Sequence, residues 1–228
     1  MTAYTDFQHS IASAYRLIEM YKELRRSRGL GQRGRLTPEN EDLLWLPRSA
    51  IVSSMSALDS YVHAVLYDQI PLALQANPIP APLAEAMASI VPIKNGSSFR
   101  EAFPIISAGN VAQELSSRLK DQTLSYLSYQ APEKINAGFE MIGHGNIFQS
   151  VAALWPGPNT TADDLKRTLA NFVKRRNQIA HEGDREATGA VKHIQPQYAR
   201  QVADFVDNLA IRLNRTIYPD EALAAAPQ

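Results

Sequence analysis

Apolar side chains recur every three or four residues through the longest stretches of this sequence, which constrains the fold more than any other feature. That spacing places them on one face of an α-helix, and no stretch shows the strict alternation of a half-buried strand. The sequence therefore predicts an all-α fold, a helical bundle. The residues that carry the period are Phe7, Ile11, Ala14, Leu17, Ile18, Tyr21 and Leu24, then Ile51, Met55, Leu58, Val62, Val65 and Leu66, then Leu165, Leu169, Phe172 and Ile179, and last Tyr198, Val202, Phe205, Val206, Leu209 and Leu213.

Prolines interrupt the chain between the second and third of these stretches. Because proline lacks the backbone donor that a helix interior needs, we expect no long helix to pass through them and only short ones, such as 83–90, to form between them. We predict a single domain over residues 1–228, with core helices in 43–70 and 161–214 and an insertion with accessory helices in 71–160. The interrupting residues are Pro71, Pro78, Pro80, Pro82, Pro92 and Pro104.

Charge and composition narrow the functional classes. The chain has 23 basic and 23 acidic residues, so a site for a polyanion must be a local feature. The absence of cysteine excludes a disulfide framework and a thiol nucleophile. No stretch approaches the ~18 uncharged apolar residues of a membrane span, and the N-terminus lacks the pattern of a signal peptide. We expect a cytoplasmic protein with no membrane contact.

The stretch from Thr161 to Arg185 reads TADDLKRTLANFVKRRNQIAHEGDR and contains the candidate site. Most of it is predicted to form one helix, capped at its start by Thr161 and ended near Gly183. At ~100° per residue, Arg176 falls inside the apolar stripe, where a solvated arginine is not expected. Asn177 and His181 stack on an adjoining polar face. The last two turns therefore present a guanidinium, an amide and an imidazole together.

The segment RNQIAHEGD on this helix resembles the signature of the HEPN superfamily, and LPRSAIVSSMSALDSYVHAVL resembles the first core helix of the RiboL-PSP type of HEPN domain. The resemblance implies an all-helical fold and, for many members, a metal-independent ribonuclease that acts as a homodimer with facing motifs. It implies Arg176, Asn177 and His181 as catalytic residues, RNA as the substrate and no cofactor. In some HEPN toxins a modifiable tyrosine stands two residues after the histidine, but here Gly183 occupies that position, so that mode of control is not inferred.

The residue types suit cleavage of RNA without a metal. A base must take the proton of the 2′-hydroxyl, and a cation must stabilise the charge that builds on the phosphorus. Histidine titrates near neutral pH, and the planar guanidinium of Arg176 matches phosphate oxygens. Asn177 would orient His181 or donate to a phosphate, and Lys174 and Arg175 add positive charge for contact with the RNA backbone.

Two acidic residues are assigned supporting roles. A half-buried arginine needs an oxygen partner, and Asp59 is the candidate partner of Arg176. A polar contact between Asp59 and His63, four residues apart on one helix, is the favoured alternative for Asp59. Glu182 directly follows the motif histidine. A metal site formed by His181, Glu182 and Asp184 with Asp59 or His63 is the less favoured alternative, because the spacing matches no zinc signature.

Two functions remain open. The first is an endoribonuclease that acts as a toxin or in defence or stress response, with an antitoxin or regulatory protein as a further partner. The second is a catalytically inactive HEPN-like module that binds RNA, a nucleotide or a protein. A separate question concerns the arginine-rich segment 25–35, for which a solvated loop is favoured over an arm that contacts phosphate.

Overall fold

Nine α-helices and two short 3-10 helices account for most of the residues that the structure describes. The structure is a computed structural model that describes residues 2–31, 34, 36–91, 93, 95–157, 159–185, 189 and 191–219. The α-helices are α1 (Ala3–Ser27), α2 (Trp45–Ala73), α3 (Ala81–Ile90), α4 (Gly96–Ile106), α5 (Val111–Gln122), α6 (Pro132–Met141), α7 (Ile147–Ala153), α8 (Ala162–His181) and α9 (Pro196–Ile217), and the 3-10 helices are Pro38–Leu44 and Leu124–Tyr126.

The all-α prediction is confirmed. Across these described ranges the only β-type pairing is an isolated bridge between Arg185 and Val191. Most apolar positions of the predicted stripes lie in the cores, and Met55, Leu58, Leu169, Val202 and Leu209, for example, are fully buried. Leu24, predicted to belong to the first stripe, is instead exposed. Within the same ranges, no helix combines the length and apolar character needed to cross a membrane.

The first compact unit joins the two ends of the chain, residues 1–61 and 151–228. In this unit α1 packs on α9, and the Tyr15 hydroxyl donates to Oδ1 of Asp204 at 3.0 Å. Helix α8 packs on α9 through Phe172, whose ring lies edge-on to Phe205 at 5.3 Å and to Tyr198 at 5.7 Å. The candidate site helix is therefore held along its middle by aromatic contacts, while its last turns lie beyond them.

The second compact unit comprises residues 62–150. Within it, α3 packs on α5 and α6. Helix α6 approaches α2 closely at Gly138, where an added Cβ would lie 2.9 Å from the Tyr129 ring and 3.1 Å from a methyl group of Leu66. Only glycine leaves room for this approach. The predicted single domain with an insertion at 71–160 stays a prediction.

The short helix expected at 83–90 is present as α3, but α2 contradicts the expectation that no long helix would pass through one of these prolines. Helix α2 continues past Pro71 to Ala73, and α4 contains Pro104. Both prolines lie in the last turn of their helix, where the ring removes one backbone hydrogen bond without interrupting the turns that precede it. Helix α4 starts with an Asn95–Ser98 capping box. Pro92 lies outside the described residues.

Helix α5 begins without a side-chain cap. Asn110 precedes the helix, but its side chain makes no capping hydrogen bond, and α5 ends at Gln122. The short 3-10 helix from Leu124 to Tyr126 follows it. Pro132 is the first residue of α6, a position where its missing N–H costs no helical hydrogen bond.

The arginine-rich segment begins at the end of α1. The exposed Arg28 donates to both carboxylate oxygens of Asp42 at 2.8 Å and to Asn40 at 3.1 Å. Arg33 and Arg35 lie outside the described residues. Part of this segment is therefore tied to the 3-10 helix Pro38–Leu44 by an ion pair.

Candidate active site

The start of α8 is set by a local hydrogen-bond pair. The Asp164 backbone N–H donates to the Thr161 hydroxyl at 3.1 Å, and the Thr161 N–H donates to Oδ2 of Asp164 at 3.2 Å. These bonds satisfy donors that the first helical turn leaves without partners. The bonds from Thr161 also hold the pKa of the Asp164 carboxyl below its ordinary value. The predicted cap is confirmed.

The end of α8 is set by two consecutive residues in the left-handed region. Gly183 has φ of 63° and Asp184 has φ of 53°, and the Asp184 N–H donates back to the Gln178 carbonyl at 3.0 Å. Glycine adopts this conformation without strain, whereas aspartate tolerates it less readily. The chain is thus turned back under the last turn of the helix, as the position of Gly183 predicted.

The three motif side chains differ in their exposure. Arg176 is half-buried, at its predicted place between the buried Phe172 and Ile179, while Asn177 and His181 are exposed. The Arg176 Nη1 donates to Oδ1 of Asn177 at 2.9 Å. Its Nε is buried without a hydrogen-bond partner among the described residues. The His181 imidazole makes no hydrogen bond or ion pair within the same part of the chain.

Next to the motif, a fully buried carboxylate is shared by two arginines. Oδ2 of Asp184 accepts two hydrogen bonds, from the Arg48 Nε at 2.7 Å and from the Arg175 Nη2 at 2.9 Å. A further contact of 2.5 Å joins Arg175 Nη1 to Oδ1, an ion pair without hydrogen-bond geometry. The exposed fractions of the side chains are 1% for Arg48, 0% for Asp184 and 17% for Arg175. This buried triad carries a net positive charge, with Arg175 nearest to solvent.

Arg48 joins the triad to two other segments of the chain. Its Nη1 donates to the Leu44 carbonyl at 3.0 Å, its Nη2 donates to the Lys192 carbonyl, and its guanidinium lies 5.3 Å from the centre of the Trp45 ring. The Lys192 N–H in turn donates to the Asp184 carbonyl at 2.7 Å. The last turn of α8, the start of α2 and the segment before α9 are therefore tied together at one buried charge cluster.

Tyr198 of α9 lies close to this cluster. Burial raises the pKa of its phenol above the ordinary value, and the charge of Arg175 acts in the opposite direction. The ring packs edge-on against Phe172. This side of the motif helix is aromatic and protein-facing, so the exposed side chains at its end face away from the α9 contact.

The comparison with protein families connects this geometry to a known group. A family model described as RiboL-PSP-HEPN matches residues 10–218, nearly the whole chain, including the motif helix. The chain belongs to the RiboL-PSP-HEPN family. Neither the curated proteins nor the solved structures contain a match. Membership of the HEPN group implies a ribonuclease-type domain whose substrate is RNA.

Three further predicted site residues, Lys174, Arg175 and Glu182, lie within or directly after the motif helix. Lys174 and Glu182 are exposed, and Arg175 is part-buried with its guanidinium on Asp184. The hydrogen bond of Arg176 goes to Asn177, and the placement of Asp59 beside Arg176 stays a prediction. The described residues contain no group of three or more side chains that could hold a metal ion. Asp184, assigned to the alternative metal site, is instead neutralised by arginines.

Sequence reasoning missed the roles of Arg48 and Asp184 in this HEPN site. Arg48 shares the apolar face of α2 with the buried Ile51 and Met55, which is the same signal that singled out Arg176 on α8. An arginine in such a stripe calls for a buried carboxylate, and Asp184 supplies one from a distant part of the sequence. The signal for a buried arginine was present, but the identity of its partner was not.

Proposed function

We propose that the protein is a metal-independent endoribonuclease of the HEPN type, with the site at the last turns of α8. The observation that carries the proposal is the exposed, unbonded His181 beside a half-buried Arg176 whose hydrogen bond, among the described residues, goes to a neutral amide. A guanidinium that lacks an acidic partner is suited to bind a phosphate. An inactive module would be favoured by a buried, internally bonded histidine.

Each motif residue has a chemical role in this proposal. His181 takes the proton from the ribose 2′-hydroxyl, whose oxygen attacks the adjacent phosphorus. Arg176 donates to the phosphate oxygens on which negative charge builds. Asn177, whose Oδ1 accepts from Arg176, keeps the guanidinium oriented and has its amide N–H groups to donate to the substrate. Lys174 contacts the RNA backbone, and Arg175, through its exposed edge, adds positive potential.

A homodimer completes the site. One motif contains one imidazole, whereas in-line cleavage is best served by a base and an acid on opposite sides of the phosphorus. A two-fold contact through the ends of α8 places the His181 of each copy near that of the other. One histidine then takes the proton of the 2′-hydroxyl, and the other protonates the departing 5′-oxygen.

The shared site predicts that inactive subunits inhibit active ones. When wild type is mixed with an equal amount of His181→Ala protein and the subunits exchange, only about half of the wild-type subunits remain in wild-type pairs. We expect RNA cleavage per wild-type subunit to fall about twofold, and native mass spectrometry verifies that exchange has occurred. His9→Ala, which changes an exposed histidine of α1, is the matched mixing partner and should leave the rate unchanged. A protein that is monomeric at micromolar concentration by light scattering and cleaves at full rate contradicts this model.

The proposal also predicts that activity survives chelation. Purified protein incubated with RNA in EDTA should cleave at the rate seen without EDTA, because His181 and Arg176 suffice for internal transesterification. The products should end in a 2′,3′-cyclic phosphate or a 3′-phosphate, which end-specific labelling or mass spectrometry detects. Loss of activity in EDTA together with 3′-hydroxyl ends would instead assign the chemistry to a metal held near the acidic side chains.

The biological role is proposed at a coarser level. We place the activity in the cytoplasm, as a toxin or as an effector of defence or stress response, with a protein antitoxin or regulator as a further partner. Family membership supports this placement. Growth arrest on expression of the wild type, but not of His181→Ala, is the expected result, and normal growth with active protein present would remove the toxin role while leaving the ribonuclease intact.

A further inference from the structure

A cleft of about 1130 Å³ lies in the first compact unit, between the second half of α1, the segment that leads into α2 and the start of α9. None of Arg176, Asn177 and His181 is among its described lining residues. The lining includes Lys22, Arg25, Arg26, His193 and Arg200, and we refer to it as the basic cleft. This volume exceeds the ~300–1,000 Å³ typical of small-molecule pockets, so the cleft has room for more than one nucleotide unit.

The charge of the basic cleft is one-sided. Within the described part of its lining, no aspartate or glutamate is present. Two carboxylates outside the lining partly neutralise the positive charge of the cleft. Glu19 pairs with Lys22 at 2.7 Å, and Asp204 pairs with Arg200 at 2.9 Å. Both pairs are exposed i,i+3 or i,i+4 pairs on a helix surface, which are weak and leave the cation able to exchange partners. On a protein with no net charge, this cleft is a local concentration of positive groups.

Two adjacent arginines of the basic cleft differ in whether their guanidinium group has a hydrogen-bond partner among the described residues. Arg25 is buried, and its Nη1 donates to the Tyr21 hydroxyl at 3.0 Å and to the Gly34 carbonyl at 3.4 Å, so its guanidinium is held in place. Arg26 is exposed, and its guanidinium makes no ion pair or hydrogen bond within the described ranges. An arginine that faces a cleft without a protein acceptor is available to a phosphate oxygen.

The rest of the lining is apolar or amide-bearing. Ile18, Leu44 and Ile194 are buried and form apolar wall, and Gln195 and Gln197 add amide groups. A ligand that combines negative groups with flat apolar rings and hydrogen-bonding edges fits such a lining, and a nucleotide has all three features. A free inorganic anion would leave the apolar wall without a partner.

We propose that the basic cleft binds phosphate groups of a nucleotide chain, as a second RNA site separate from the motif. That the nucleotide chain is RNA rests on the proposed function. That the ligand has phosphate groups and bases is inferred from the residues that line the cleft. The position supports the link, because His193 directly follows Lys192, whose carbonyl accepts from Arg48 and whose N–H donates to Asp184. An RNA strand in the cleft therefore contacts the segment that holds the end of α8.

The experiment measures binding without cleavage. A fluorescent 2′-O-methyl oligonucleotide has no free 2′-hydroxyl to attack the phosphorus, and fluorescence anisotropy reports its affinity for the full-length protein. We expect Arg26→Gln to weaken binding about fivefold and Lys22→Gln with Arg26→Gln to weaken it more than about tenfold. Each lost phosphate contact should reduce the slope of log affinity against log salt by about one. Arg16→Gln, an exposed arginine of α1 outside the cleft, is the matched control and should leave the affinity nearly unchanged.

Further measurements distinguish an RNA strand from a free nucleotide as the ligand, and failure of this proposal from failure of the proposed ribonuclease function. If AMP does not displace the oligonucleotide, the cleft takes a strand, which supports the proposal. If AMP displaces it and AMP binding also falls in the Arg26→Gln variant, the cleft takes a free nucleotide, which overturns the proposed RNA site. Affinity and salt slope equal to wild type in both cleft variants, or an equal loss in Arg16→Gln, would overturn it. If the protein binds the oligonucleotide through the cleft but never cleaves RNA, only the proposed ribonuclease function is wrong. If it cleaves RNA while the cleft variants bind normally, only the proposed RNA site in the cleft is wrong.

Discussion

Replacing His181 by alanine is expected to lower RNA cleavage by about 10²–10⁴-fold, the usual contribution of a general acid or base. In the composite site each protein pair loses both imidazoles at once, so the base and the acid disappear together. Because His181 is exposed and makes no hydrogen bond or ion pair within the described chain, its removal should leave the melting temperature within about 1–2 °C of wild type. Initial rates on a labelled RNA in EDTA, with thermal denaturation in parallel, measure both effects.

Matched variants separate the imidazole from unspecific effects. His9→Ala removes an exposed histidine far along the sequence from the motif and should cleave like wild type. Arg176→Lys keeps the positive charge but loses the planar fork, so we expect cleavage to fall although the charge is retained. Equal rates in wild type, His181→Ala and Arg176→Lys would show that the last turns of α8 do not carry the activity.

Replacing Asp184 by asparagine is expected to lower the free energy of unfolding by about 3–5 kcal/mol, the usual cost of removing one partner of a buried ion pair. The reason is that Arg48, with 1% of its side chain exposed, keeps its charge without a carboxylate. For a chain of this size a loss of that order lowers the melting temperature by about 10 °C. Urea denaturation followed by circular dichroism measures the loss. Cleavage should fall as well, because Asp184 ties the end of the motif helix to α2.

Two further variants provide a control for Asp184→Asn and a test of whether its lost stability can be restored. Asp163→Asn changes an exposed aspartate in the first turn of α8 and should cost at most about 1 kcal/mol, through the helix dipole. Adding Arg48→Met to Asp184→Asn removes the uncompensated charge and should restore part of the stability. An Asp184→Asn protein as stable as wild type would mean that the buried triad does not stabilise the fold.

Helix α8 shows how much of this protein local sequence determines. The Thr161–Asp164 cap, the stripe through Leu165, Leu169, Phe172 and Ile179, and the turn at Gly183 all follow from interactions within a few residues, and the structure has each of them. The family signature spans the last turns of this helix and the three residues after it, so the family was also accessible from the sequence. Helical spacing is a local property, and a single sequence therefore specifies it.

Partners that are distant in sequence were decided only by the tertiary structure. Arg48 and Asp184 are 136 positions apart, and nothing near either residue indicates the other. The basic cleft likewise joins α1 to the residues just before and within α9, and neither segment alone forms a cavity. Burial is also a tertiary property, because the sequence placed Arg176 and Asp184 near one helix end but did not set their surroundings. Packing left Arg176 half-buried, with no acidic partner among the described residues, and enclosed Asp184 between two arginines. Local sequence does not distinguish between the many possible partners of a buried charge. Long-range packing determines the partner, because a buried charge without one is too costly.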